Sequence, residues 1–209
     1  MPEITKTLAE LPRSLWLITL FCLLALHGAP ALAVEPKVTI AVEQKDDAFI
    51  VDANLDVDVP LATAWAVLTD FEHMPSIFEN LKSSKITARD GNIVRVHQDG
   101  VAKYGFLSFF FTAEREIRLE PMQRIQTKNI SGTLKSMESE VFITAQEHGV
   151  KISYHAAILP DSMLARMFGA SFVRHEAEEQ FLGMSREMIR RHAHATSPDK
   201  SPTEPVPKN

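Results

Sequence analysis

The chain has 209 residues, with 22 Lys and Arg against 27 Asp and Glu, for a formal net charge of −5. That mild acidity, with no basic stripe interleaved with aromatics, argues against nucleic acid as a partner. One cysteine, Cys22, leaves no disulfide framework and no cysteine metal site.

The first element is an address. Lys6 and Arg13 precede an apolar run from Leu15 to Leu26, then His27-Gly28-Ala29-Pro30 and the small-residue site Ala31-Leu32-Ala33. A basic start, an apolar segment and an A-x-A site make residues 1–33 a secretory signal peptide, with Val34 as the new N-terminus. The run is short against the roughly 20 residues of a spanning helix, so cleavage is expected rather than a retained anchor. Cys22 lies inside this leader, and no cysteine follows the cleavage site as a lipoprotein would need. The protein is expected to be exported, and periplasmic in a bacterial setting. A core of about 160 residues without disulfides is large enough to hold itself together.

Residues 34–194 then read as one domain. Val38, Ile40 and Val42 alternate with polar residues and form a hairpin with the strand Phe49–Val59, across Gln44-Lys45-Asp46-Asp47. In that second strand Val51, Ala53, Leu55, Val57 and Val59 share one face, and Asp52, Asn54, Asp56 and Asp58 the other, as in a half-buried antiparallel strand. Pro60 opens a short helix over 61–69, and Pro75 a second over 75–81. A meander of strands follows: 84–88, 92–98 (across Asp90-Gly91), 101–113, 115–119, 124–130, 141–145 and 150–157. After Asp161, a plausible N-cap, the period changes to 3.6 and a helix runs to about His192. Leu164, Phe168, Phe172, Val173, Ala177, Phe181, Met184 and Met188 make its apolar stripe, interrupted by Gly169. Residues 195–209 carry Pro198, Pro202, Pro205 and Pro207 among polar residues and read as a disordered tail.

The stretch Asp58-Val59-Pro60-Leu61-Ala62-Thr63-Ala64-Trp65-Ala66-Val67-Leu68-Thr69-Asp70-Phe71, with the long final helix, resembles the START-like superfamily (SRPBCC, also Bet v 1-like or polyketide cyclase/coenzyme Q-binding). The resemblance implies an α+β helix-grip fold. A curved antiparallel sheet wraps a long C-terminal helix, two short helices follow the first long strand, and a hydrophobic cavity lies between helix and sheet.

No catalytic or cofactor motif is present. His175-Glu176-Ala177-Glu178-Glu179 lacks the second histidine that a zinc-peptidase helix needs, and no metal ligands are assigned. His97, His155 and Glu140 are the only obvious acid/base groups, and they serve an enzyme only if they face a cavity. The stronger signal is apolar. Tyr104-Gly105-Phe106-Leu107-Ser108-Phe109-Phe110-Phe111 is aromatic on both strand faces, and Met163, Met167 and Phe168 gather in the first half of the helix. Methionine suits a permissive apolar pocket.

From residues alone a filled core explains this stripe as well; the resemblance turns it into a cavity lining. The lining set is then Tyr104, Phe106, Phe109, Tyr154, Met163, Met167, Phe168 and Phe172, with Phe71, Met74 and Phe78 at the mouth and Trp65 in the core. Tyr104, Tyr154, Arg115 and Arg118 are the polar groups available to orient a ligand head. The function expected is binding of a hydrophobic small molecule (a lipid, quinone or polyketide-like compound) for sequestration or transfer. The alternatives are a cyclase/aromatase- or hydrolase-type enzyme using the same cavity, and a protein-interaction domain. Apolar residues at the mouth and the triplet Phe109–Phe111 also suit transient contact with a membrane surface. No oligomeric state is indicated.

Overall fold

The computed structural model describes residues 36–104, 107–160 and 162–197, with the side chains of 104, 107 and 162–168 left aside. The predicted leader and most of the predicted tail lie outside these residues. The elements are β1 (Lys37–Lys45), β2 (Ala48–Val57), α1 (Leu61–Leu68), a 3-10 helix (Phe71–Ser76), β3 (Leu81–Asp90), β4 (Ile93–Tyr104), β5 (Leu107–Glu120), β6 (Arg124–Gly132), β7 (Leu134–Ala145), β8 (Val150–Pro160) and α2 (Ser162–Thr196). All eight strands form one open antiparallel sheet in the order β1-β2-β8-β7-β6-β5-β4-β3. With one long helix after the sheet, this is the expected α+β arrangement.

Alternation decides which face is covered. Phe49, Val51, Ala53, Leu55 and Val57 of β2 are buried, and Ile152 and Ala156 of β8 pair with Leu55 and Val51 on the same side. Phe181 and Met188 of α2 close the core against Leu55, Ile143 and Ile152, with Ala64, Val67 and Leu68 of α1 beside them. Among the described residues this cluster joins both ends of the sheet's covered face to α1 and α2.

Four local expectations are corrected. The second short helix is a 3-10 turn over Phe71–Ser76 with Pro75 inside it, not a helix over 75–81. The sheet claims the chain early: the Val101 N–H bonds the Asn80 carbonyl at 2.7 Å, and Leu81 is already buried in β3. The aromatic run is also not one strand. β4 ends at Tyr104 and β5 begins opposite it at Leu107, so the run straddles a hairpin. β7 starts at Leu134, well before the predicted 141–145. Finally, α2 is broken at Gly169, whose φ of 64° and ψ of −176° fall in a region that only glycine occupies readily. That backbone conformation is reason enough for glycine, and among the described residues nothing lies within 4 Å of where a Cβ would stand.

Candidate functional site: a polar wall inside the sheet

Arg115 sits on β5 between Ala113 and Ile117, both buried, so strand alternation turns it toward the interior. Its sequence neighbours Glu114 and Glu116 point to the other face, where Glu114 bonds His97 (3.1 Å) and Thr87 (2.7 Å) and Glu116 bonds Arg95 (3.2 Å). Two carboxylates flank the cation in sequence, and neither reaches it. Across the ladder Arg115 faces Val96 of β4 and Asn129 of β6.

Three further strands add polar groups to the same wall. Asn129 is buried, with its Nδ2 donating to the Leu134 carbonyl at 3.4 Å. Ser139 of β7 is buried opposite Thr127, and Tyr154 of β8 lies opposite Val141. The Tyr154 ring meets Phe181 of α2 edge-on, 5.6 Å between centroids, which fixes the phenol between sheet and helix. Toward the sheet edge Gln98 continues the band, donating to Ser84 Oγ at 3.2 Å with Met74 Sδ at 3.9 Å.

The electrostatics of this wall are unusual. Burial pushes the Tyr154 phenol above the ordinary tyrosine range, while the Arg115 charge and the Ser139 hydroxyl partly oppose it. Tyr154 is therefore a neutral donor at neutral pH. Burial also lowers the pKa of the Arg115 guanidinium, with Tyr154 acting in the opposite sense; arginine nonetheless stays charged. Among the described residues no carboxylate pairs with it, and its Nε has no hydrogen-bond partner. Asn129 Oδ1 is likewise buried and unpartnered. Buried polar groups are nearly always satisfied, and each exception costs about 1–3 kcal/mol. A donor and an acceptor on facing strands, both open, are what the polar head of a bound molecule would complete.

The predicted site residues distribute unevenly. Tyr154 is on the wall. Phe109 is half-buried opposite Ala102, and Phe172 is half-buried on α2. Met74 and Phe78 are half-buried, and Phe71 belongs to the core at 4% exposure. Phe106 and the side chains of Tyr104, Met163, Met167 and Phe168 lie outside the described residues. Arg118 is exposed on the outer face, lining a half-open groove of about 450 Å3 with Glu116, Gln126, Glu140 and His155. His155 bonds Asp52 at 2.7 Å there, His97 pairs with Glu114 and Asp99, and Glu140 with Arg124. All three acid/base candidates thus stand across the sheet from Arg115. Among the described residues no three His, Cys, Asp or Glu side chains gather as metal ligands, and no helix is long and apolar enough to cross a membrane. Asn129, Ser139 and Gln98 escaped the sequence reading because each is a polar residue where alternation calls for an apolar one.

An open antiparallel sheet closed by a long C-terminal helix, with polar groups set into its covered face, is a helix-grip fold. Solved structures share it at low identity. A START superfamily protein from Mycobacterium smegmatis aligns with a TM-score of 0.54 and 14% identity over 70% of this chain and 99% of that one. A Streptomyces aromatase/cyclase gives 0.54 and 10% over 78% and 98%, and human STARD10 gives 0.54 and 15% over 77% and 75%. No curated protein matches the sequence. Residues 57–180 match the family described as polyketide cyclase / dehydrase and lipid transport, and the chain belongs to that family.

Proposed function

We propose that this protein binds an amphipathic small molecule between the sheet and α2, for sequestration or transfer, with the polar head against Arg115, Asn129, Ser139 and Tyr154. The observation that carries the reading is the pair of open buried atoms, Arg115 Nε and Asn129 Oδ1, on facing strands. The family supports it in kind, since its description joins polyketide chemistry with lipid transport. A lipid, a quinone or a polyketide-like compound fits: a tail gains roughly 0.8 kcal/mol per buried CH2, and the head completes the wall. A cyclase or hydrolase would have to work with Arg115 and Tyr154, because His97, His155 and Glu140 are on the far face.

Delipidated protein offered a panel of fatty acids, phospholipids, quinones and aromatic polyketides should retain one class at one-to-one stoichiometry. Affinity should rise with tail length and fall on Arg115→Met. A protein that retains none contradicts the reading, and turnover of a retained compound would move it to the enzyme alternative.

The leader makes the protein an exported one in this proposal, periplasmic in a bacterial host. Intact mass of the protein recovered from that compartment should correspond to a chain beginning at Val34. A mass including residues 1–33 would overturn the export route.

A further inference from the structure

The β4–β5 hairpin outgrows the sheet. The ladder of β3 with β4 ends at Leu81 opposite Gly100, with one further bond from the Val101 N–H to the Asn80 carbonyl, and pairing of β5 with β6 begins only at Ala113 opposite Gly132. Yet β4 and β5 stay paired for four more steps, from Val101 opposite Phe110 to Tyr104 opposite Leu107. Beyond Val101 this end of the hairpin is a two-stranded arm, with no third strand in register among the described residues. Such a ribbon is marginal in water by itself.

Its two faces differ. The Phe111 ring and the Asn80 carbonyl fill the space that a Cβ on Gly100 would need, so Phe111 is packed inward at the arm's root. Phe110 takes the opposite face and is 83% exposed, far more than any other large apolar side chain described; Ile130 follows at 48%. Val101, half-buried, stands across from it. From Gly100 to Ala113 the chain carries no carboxylate, and its single charge is Lys103, exposed on the same face as Val101.

We propose that this arm docks the protein on an anionic lipid bilayer, Phe110 entering the interface and Lys103 meeting the headgroups. A second copy of the chain is a poorer fit. One phenylalanine and half a valine supply on the order of 200 Å2, against the roughly 800 Å2 per partner of a stable protein interface. Interfacial binding sets no such threshold: it scales with the apolar area inserted plus attraction to anionic lipid, and a small patch gives a weak, reversible contact. The proposal goes beyond the ligand reading and stands without it.

The test uses the exported form of the proposed function, the chain from Val34, with its fold verified by circular dichroism, so that the apolar run Leu15–Leu26 cannot mask the result. Flotation with phosphatidylcholine–phosphatidylglycerol vesicles should recover wild type and lose Phe110→Ser by roughly 10–100-fold, the ratio for moving one phenylalanine out of water. Lys103→Glu should weaken binding to these vesicles and leave any binding to pure phosphatidylcholine unchanged. Circular dichroism checks the fold of both, which exposure at these positions should leave intact. Equal binding by wild type and Phe110→Ser, or none by either, overturns the proposal. So does sedimentation that shows a wild-type dimer converted to monomer by Phe110→Ser, which would assign the arm to self-association. Retention of soluble ligand by Phe110→Ser, measured in parallel, keeps failure here distinct from failure of the ligand reading.

Discussion

Arg115→Met should make the empty protein more stable while damaging its function. The guanidinium faces into the wall, and among the described residues its Nε has no partner and no carboxylate offsets its charge. An unsatisfied buried donor costs about 1–3 kcal/mol, and methionine removes it while keeping most of the packing of the arginine stem. For a domain of this size each kcal/mol moves Tm by roughly 2–4 °C, so delipidated Arg115→Met should melt about 2–12 °C above delipidated wild type. Circular dichroism melts of the two proteins, with and without ligand, give the comparison. Ligand should raise the wild-type Tm and leave the variant nearly unmoved. A variant destabilised by a similar amount when empty would refute the reasoning. It would mean that the arginine is a structural partner of a group within the chain and that the wall is already complete.

Three further outcomes follow from the same physics. Tyr154, one of two tyrosines, should ionise later than an ordinary tyrosine in an alkaline absorbance titration, and Tyr154→Phe should remove that late step. Because its folded pKa is raised, its stabilising contribution is present below the unfolded value near 10 and lost as pH climbs through the folded one. At the other end Glu187, hydrogen-bonded to Arg190 and Arg191, is held down to about 2. Its contribution is therefore present above the normal glutamate range and lost as pH falls toward 2, and Glu187→Gln should flatten the acid side of a stability–pH profile. An unchanged acid limb would contradict this. Gly169→Ala should cost about 1–3 kcal/mol in urea unfolding, since alanine cannot hold that backbone conformation without strain; a stabilised variant would show that α2 straightens instead.

The fold was legible where pattern and period agreed. Val51 to Val57 alternates cleanly, and the β2–α1 passage and the change to helical period after Pro160 were all read from residues. Three boundaries were not. Tyr104 to Phe111 hides a hairpin because apolar residues stand on both sides of the turn and on both strand faces, so no polar break marks it. The first half of β7 was missed because its inward position at Ser139 is polar and broke the pattern. Leu81 reads as helical because Pro75 is a local start signal, whereas the pairing of Val101 with Asn80 is a long-range one.

The site was half legible. Arg115 and Tyr154 stand out in the sequence as polar groups near the aromatic strands. Arg118, expected beside them, belongs to the other face: three residues from Arg115 on the same strand, it is turned outward by period 2 and is exposed. Asn129 and Ser139 carried no signal in isolation. Places where a sequence departs from its own pattern are where function tends to sit, and here the departures at Arg115, Asn129 and Ser139 fall on three neighbouring strands.

Native mass spectrometry of the protein purified from its native host, followed by organic extraction, tests the central claim most directly. The account predicts a stoichiometric amphipathic compound on wild type and its loss from folded Arg115→Met. Wild type that is empty, or a ligand held equally well by both proteins, would contradict it.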